Sequence, residues 1–279
     1  MTAAIRRHTL GMSIESQWVA TMPEMYDEHL GPALFLPFAA RVAAAAAQRR
    51  PRRVLELAAG TGILTAELVR ALPAAEIVAT DLNRAMVSWG ASRVPEPDWR
   101  QADAQNLDYP DGWFDLVACQ FGVMFFPDKP AAFAESARVL EPGGTLVCTV
   151  WDAVETSDLP AAMVESLRAV LPDDPPDFIV RVPHGYCEPD RVLADLRAGG
   201  LLDVGIERVV VRGEAASADA VTRGFCLGTP LRFALQERGS LPELTSRLAG
   251  EMSARLGDGP VAGDLAAYLV TARTPPAAT

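Results

Sequence analysis

A short apolar run that ends in a glycine-containing turn is the feature that most restricts the fold of this 279-residue chain. Residues 54–58 are Val-Leu-Glu-Leu-Ala, a pattern typical of a buried strand, and glycines follow at positions 60 and 62. A helix is predicted directly after the turn, over 63–71. Small residues let the turn approach a ligand closely, and the helix start offers unpaired N–H groups. The alternative is an ordinary tight turn without a ligand.

The alternation of apolar runs and helical patterns continues to Trp151. Further strands and helices are predicted at 76–80, 84–89, 99–102, 114–119, 130–140 and 145–151. Such alternation favours parallel βαβ units with right-handed crossovers. The chain is therefore predicted to be an α/β protein.

The regions on either side of this core have a different pattern. Residues 15–49 are predicted to form two helices, 15–30 and 33–49, the second interrupted near its start by Pro37. After the core, at 50–152, helical patterns over 153–204 and 214–260 are expected to cap a pocket. Strands at 205–212 and 266–272 return to the sheet, and the whole of 1–279 is expected to be one domain.

The charge of the chain argues against nucleic acid as a partner. Formal net charge is -11, and such a field repels a phosphate backbone unless a local basic face exists. The one basic cluster, at 49–53, directly precedes the first strand and is expected to be a solvated helix end and loop.

Cysteine spacing and the N-terminus indicate the compartment. The four cysteines show no C-x-x-C spacing, so no disulfide framework or zinc site is expected. No apolar stretch follows the first arginines, which argues against a signal peptide, and no run approaches the roughly 20 apolar residues of a membrane span. A cytoplasmic protein without a membrane contact is predicted.

Asp81 ends the second predicted strand, 21 positions after Gly60. A carboxylate at this point can accept hydrogen bonds from both hydroxyls of a ribose, as it does in nicotinamide-binding folds. The nicotinamide fingerprint needs Gly-x-Gly-x-x-Gly, however, and Thr65 stands where its last glycine is required. A nicotinamide-dependent oxidoreductase is therefore the less favoured interpretation.

Four blocks in order resemble the class I S-adenosylmethionine-dependent methyltransferases, of the ubiquinone/menaquinone type that acts on small molecules. These blocks are VLELAAGTG at 54–62, ATDLN at 79–83, QADA at 101–104 and FDLVACQ at 114–120, followed by RVLEPGGTL at 138–146. The resemblance covers about residues 50–152 and implies a Rossmann-like, doubly wound, mostly parallel seven-stranded sheet. It also implies S-adenosylmethionine as cofactor and S-adenosylhomocysteine as product.

The resemblance further implies roles for the matching residues. Expected to bind the cofactor are Tyr26, Glu56, Ala58, Gly60, Gly62, Asp81, Leu82, Asp103, Ala104 and Gln120. The family's usual first glycine is Ala58 here, and a positive φ there would cost energy. From the residues alone, Glu56 is otherwise a solvated strand-end charge, Asp103 a turn residue and Gln120 a surface amide.

Two histidines are candidates for a general base. His184, between the cap and the sheet, and His29, near the expected pocket mouth, have this role or are hydrogen-bonding groups of loop and cap. Asp152, just past the fifth strand, is a candidate for contacting the substrate. No set of metal ligands is visible. Methylation of a small molecule at O, N or C is predicted; the alternative is a related fold that binds the cofactor for a non-methylating reaction or for sensing.

Overall fold

The computed structural model describes residues 21–277, which form one seven-stranded sheet with helices on both faces. Its strands are β1 Arg53–Glu56, β2 Glu76–Asp81, β3 Asp98–Gln101, β4 Phe114–Gln120, β5 Leu140–Trp151, β6 Leu202–Ala215 and β7 Val261–Arg273. Their order across the sheet is β3-β2-β1-β4-β5-β7-β6. The pairs from β3 to β5 are parallel, and β7 is antiparallel to both β5 and β6.

The helices connect these strands and cover both faces of the sheet. They are α1 Met22–Met25, a π-helix Tyr26–Phe35, α2 Leu36–Ala47, α3 Ile63–Ala71, α4 Arg84–Arg93, α5 Lys129–Val139, α6 Asp158–Val170, α7 Phe178–Arg181, α8 Pro189–Ala198, α9 Ala218–Gly228, α10 Leu231–Gln236 and α11 Leu241–Leu256. Short 3₁₀ turns lie at Val123–Phe125 and Val154–Thr156.

Successive residues of the central strands bury against different helical layers, because side chains alternate between the faces of a strand. In β4, Leu116 and Ala118 belong to the core formed with α2 and α3. Val117 and Cys119 belong to the core on the other face, with α5 and α8. The predicted α/β, doubly wound, mostly parallel sheet is confirmed.

The N-terminal helices differ from the prediction of two separate elements. Residues 22–47 form one uninterrupted helical stretch, whose middle part is the π-helix, and the expected positions 15–20 lie outside the described residues. Pro32 has no N–H to donate within this stretch. The N–H of Leu36 reaches back five residues to the carbonyl of Gly31, which is the wider π-type bond. Pro37 lies in the first turn of α2, where proline is tolerated.

The same stretch bears on the membrane prediction. Within residues 21–277 it is the one helix long and apolar enough to cross a membrane by length and composition, so the expectation that no run approaches a span does not hold on those grounds. Of its most apolar window, 56% is buried inside the protein, which is also the pattern of a core helix in a globular domain.

The two last strands are longer than the sequence predicted. β6 and β7 pair continuously from Gly205 with Thr271 to Ala215 with Val261, well beyond the expected 205–212 and 266–272. The extension includes Gly213 opposite Gly263, and glycines weaken the apolar pattern by which a strand is recognised. The helical regions lie between these strands: α6 to α8 join β5 to β6, and α9 to α11 join β6 to β7.

Candidate active site

A cavity of about 600 Å³ lies at the carboxyl ends of the parallel strands. Ala58 and Gly60 reach it from the turn after β1, Asp81 from the end of β2, Gln120 from the end of β4 and Trp151 from the end of β5. This edge is where ligands bind in open α/β sheets. The cavity is therefore the candidate site.

The turn after β1 has a left-handed backbone at three positions. Ala58, Gly60 and Gly62 have φ values of 52°, 57° and 89°. Alanine in the left-handed region costs about 1–2 kcal/mol, the cost expected where Ala58 replaces the family's usual first glycine. A Cβ on Gly60 would meet no atom within 4 Å, so the space above it is open to a ligand. A Cβ on Gly122 would lie 2.6 Å from the Ala58 Cβ, so the glycine leaves room for the alanine methyl.

Asp81 ties this turn to the second strand. Its Oδ2 accepts a hydrogen bond of 2.9 Å from the Gly60 N–H, and its Oδ1 accepts one of 2.8 Å from the Asn83 N–H. Burial raises the pKa of Asp81 to about 6, although both N–H donors act in the opposite direction. Asn83 in turn caps α4 by accepting from the N–H groups of Ala85 and Met86.

Glu56, the last residue of β1, is a buried carboxyl that is incompletely paired. It is 1% exposed, and its Oε2 has no hydrogen-bond partner among the described residues. Burial raises its pKa to about 8, against the effect of the neighbouring Thr65 hydroxyl. An orphaned buried carboxyl is costly unless a ligand completes it. A cationic group bound nearby would do so.

The π-helix contributes Tyr26 to the site and contacts the end of β4 through Gln120. Tyr26 stacks on Phe35 with ring centroids 4.8 Å apart, and burial raises the Tyr26 pKa well above its ordinary range. The Gln120 Nε2 donates to the Phe35 carbonyl at 3.3 Å, and the Gln120 Oε1 is buried without a partner in the described structure. Asp103 accepts from the Gln105 N–H at 2.9 Å, as in a turn.

The structure brings most of the predicted site residues to one cavity. Those in its wall are Tyr26, Ala58, Gly60, Asp81, Leu82, Asp103, Ala104, Gln120 and His184. Three do not line it. Glu56 lies beneath the turn, Gly62 faces the Trp99 ring, and His29 lies where the π-helix packs on α9 at Gly224. The prediction that His29 lines the pocket mouth is not supported, because its side of the helix is taken by that packing.

The cavity wall is rich in aromatic residues. Phe121 stacks on Trp151 with centroids 3.8 Å apart and an interplanar angle of 8°, and His184 lies 5.6 Å from the Trp151 ring. Other aromatic residues of the wall are Tyr26, Phe35, Phe125, Phe126, Phe178 and Phe225. Phe121 has a φ of 52°, a conformation held by the Thr149 hydroxyl and carbonyl, both of which accept from its N–H. Phe178 and Phe225 come from the cap helices, and no local motif marks them.

The charged side chains that line the cavity are carboxylates. Among the described lining residues there is no lysine or arginine; the carboxylates are Asp81 and Asp103. Within 21–277, no group of three or more His, Cys, Asp and Glu side chains is arranged to hold a metal ion. An anionic ligand therefore finds no fixed cation in the wall.

His184 is held in one tautomer. Its Nδ1 lies 2.7 Å from the Asp152 carbonyl oxygen, which can only accept, so Nδ1 carries the proton and the neutral ring keeps its lone pair on Nε2. Burial lowers the His184 pKa, only partly offset by that carbonyl and by Glu155 and Asp152. Asp152 itself does not line the cavity, so its predicted contact with substrate is not supported; its side chain faces Arg208 and Tyr268 instead.

Comparisons with known proteins agree with this geometry. The family model of a methyltransferase domain matches residues 55–148. The chain is 30% identical over 222 residues to the ubiquinone/menaquinone biosynthesis C-methyltransferase UbiE of Bordetella parapertussis, covering 75% of this chain and 84% of that one. It is 40% identical over 109 residues to the demethylmenaquinone methyltransferase of Deinococcus radiodurans, 38% of this chain and 45% of the relative, so it spans less than half the length of that protein.

A solved structure shares the fold. Phosphoethanolamine N-methyltransferase 2 of Haemonchus contortus, solved with S-adenosylhomocysteine and phosphomonomethylethanolamine, superposes with a TM-score of 0.60 at 14% identity, covering 95% of this chain and 61% of that one. Together with the relatives, this sheet and its glycine turn define a class of enzyme. The chain belongs to the class I S-adenosylmethionine-dependent methyltransferases, as its sequence motifs indicated.

Proposed function

We propose that the enzyme methylates a hydroxyl or ring carbon of an uncharged, largely apolar small molecule. One observation carries this proposal: a single cavity joins the glycine turn and Asp81 to a wall of aromatic rings that contains no lysine or arginine among the described residues. Flat apolar molecules pack on such rings, whereas a phosphate or carboxylate would be buried without a partner.

The residues at the strand ends fit S-adenosylmethionine. The unpaired Oε2 of Glu56 and the unpaired Oε1 of Gln120 are suited to the cationic amino-acid end, and the open space above Gly60 accommodates the ligand backbone. The Asp81 carboxylate would accept from the ribose hydroxyls. Around the adenine we place Leu82, Asp103, Ala104 and, as a cover, Tyr26.

The chemistry divides between ligand and protein. S-Adenosylmethionine, when bound, supplies an electrophilic methyl group on a sulfonium. The cavity walls exclude water and align the acceptor, and such orientation contributes about 7–11 kcal/mol to catalysis. His184, neutral because burial lowers its pKa, would take the acceptor proton at Nε2.

The relatives support the acceptor class. One is a demethylmenaquinone methyltransferase and the other a C-methyltransferase of ubiquinone/menaquinone biosynthesis, so both are named for quinones. The phosphorylated acceptor of the Haemonchus enzyme is a poor fit to a wall without lysine or arginine. We further propose a single cytoplasmic domain over 1–279 in which α6, α7 and α9, whose residues line the cavity, form the acceptor cap, without a nucleic-acid or membrane partner.

The test uses S-adenosylmethionine labelled in its methyl group, incubated with the protein and a small-molecule extract of cells. Label is expected in the neutral fraction that partitions into organic solvent. Label in the anionic aqueous fraction would contradict the acceptor class. Absence of transfer, with the cofactor bound, would favour the non-methylating alternative.

His184→Gln is expected to slow the transfer about 10²- to 10⁴-fold, the usual contribution of a general base. His29→Gln is the matched control, because His29 lies outside the cavity wall. Cofactor binding should be the same in both variants. If only His29→Gln slowed the methyl transfer, the general base would be His29 and not His184.

A further inference from the structure

Asp152 is a buried carboxylate that the proposed chemistry does not use. It is 8% exposed and directly follows β5. Its Oδ2 accepts from the Arg208 Nε on β6 at 2.7 Å, and its Oδ1 accepts from the Tyr268 hydroxyl on β7 at 3.2 Å. Its own N–H donates to the Ala266 carbonyl at 3.1 Å. Three strands therefore fix this residue.

A fourth bond fixes the orientation of the peptide that follows. The Ala153 N–H donates to the Asp152 Oδ1 at 2.7 Å. In a planar trans peptide the N–H of one residue and the carbonyl of the preceding residue point in opposite directions. Because the side chain holds the Ala153 N–H on one side, the Asp152 carbonyl must point to the other side, where it meets His184 Nδ1 at 2.7 Å.

We propose that Asp152, held by Arg208 and Tyr268, is the positioning residue that keeps His184 in the Nδ1–H tautomer and so leaves Nε2 as its basic nitrogen. This inference rests on the proposed function of His184 as the base. Orientation of a functional imidazole by the group on its other nitrogen is a general device, and its loss commonly costs about 10- to 100-fold in activity.

The groups around Asp152 favour its ionised form. Burial by itself raises the Asp152 pKa, but Arg208, the Ala153 N–H and Tyr268 lower it to a net value below the ordinary range. Glu155 and Cys187 are the other titratable groups nearby, and neither holds the carboxylate. Asp152 is thus ionised at neutral pH, where burial favours the neutral form of His184.

The test is a two-bond ¹H–¹⁵N spectrum of the protein, which reports the protonation of each ring nitrogen. The chain has three histidines, so His184→Gln and His29→Gln assign the signals. Neutral imidazole free in water favours the Nε2–H tautomer, so release of the constraint is visible. The expected wild-type signal is Nδ1–H.

Arg208→Met and Asp152→Ala should mix the tautomers and slow labelled methyl transfer about tenfold or more with unchanged cofactor affinity. Asp152→Asn, which keeps an acceptor for the Ala153 N–H, should retain more of the wild-type tautomer. Arg212→Met is the control for Arg208→Met, since it removes another ion pair between β6 and β7, to Asp264, away from Asp152.

The outcomes separate the two proposals. A wild-type tautomer in both Arg208→Met and Asp152→Ala would overturn the positioning role, even if His184→Gln were inactive. An active His184→Gln would overturn the base role, whatever the spectra show. Mixed tautomers in Arg212→Met would mean that the sheet as a whole, and not Asp152, determines the tautomer of His184.

Discussion

The parallel and antiparallel parts of the sheet support the candidate site in different ways. In the parallel part, Gly60 and Asp81 meet across a separation of 21 residues, through a backbone N–H and a strand-end carboxylate. In the antiparallel part, Asp152 meets Arg208 and Tyr268 across 56 and 116 residues, through side chains.

This difference matches two tasks. A ligand common to a whole class of enzymes is held by backbone geometry and a few carboxylates, which a short motif can encode. The acceptor differs between enzymes, so the residues that face it come from separate strands and cap helices. On this view, substitutions in the parallel part should act on the cofactor.

The largest effect is expected at Asp81. Asp81→Ala removes the acceptor for the ribose hydroxyls and for the Gly60 N–H, and hydrogen bonds to a charged group contribute about 1.5–3 kcal/mol. Calorimetry should show S-adenosylmethionine binding weakened about 10- to 100-fold. Asp98→Ala on neighbouring β3, where Asp98 pairs with exposed Arg100, should bind normally. Unchanged affinity in Asp81→Ala would contradict the assignment of cofactor binding to the parallel part.

The next effect concerns Glu56 and pH. Its pKa of about 8 means that the ligand-free protein holds a proton there at neutral pH, and a cationic ligand favours the ionised form. Affinity should therefore rise with pH, by up to about tenfold per unit, and level off above pH 8. Measurement above the Asp81 pKa of about 6 isolates this group.

The variant Glu56→Gln should bind with little dependence on pH over the same interval.

The raised pKa of Glu56 also affects how the stability of the protein depends on pH. A folded-state pKa above the ordinary value stabilises the ligand-free protein below that ordinary value, and this contribution is lost as pH rises through about 8. The decline in the free energy of unfolding should be smaller in Glu56→Gln. Equal pH profiles in both proteins would contradict the prediction.

The smallest effect is the backbone strain of the turn. Ala58 has a φ of 52°, and glycine adopts this conformation without the steric cost. Ala58→Gly should raise the free energy of unfolding by about 1 kcal/mol in denaturant titrations. Ala59→Gly, one residue on and without a positive φ, should lower it by about 0.4–1 kcal/mol. The same sign for both would mean that the turn is unstrained.

The sequence predicted the parallel part of the fold well, and most of its predicted site residues lie in one cavity, because the signals are local. A strand, a small-residue turn and a strand-end Asp81 are each visible within a few residues. It did not predict the match between Ala58 and Gly122, because that contact joins two strand ends. Phe178 and Phe225 were missed for the same reason: cap residues reach the cavity only after the chain has folded back.

Asp152 shows the limit most clearly. Its position after the fifth strand suggested a contact with substrate, and its actual partners follow 56 and 116 residues later on β6 and β7. The glycines at 213 and 263 also obscured how far these strands extend. No pattern within one segment contains such pairings.

The place of β7 has a consequence for the order of events during synthesis. It is the last strand of the described chain, yet it lies between β5 and β6, with Leu265, Ala267 and Val270 fully buried. Nascent domains begin to fold from the N-terminus as the chain emerges. The cofactor edge can therefore assemble early, while β5 waits with an open edge and β6 has no neighbour. Tyr268 arrives with β7, so the imidazole of His184 gains its full support only when the sheet closes.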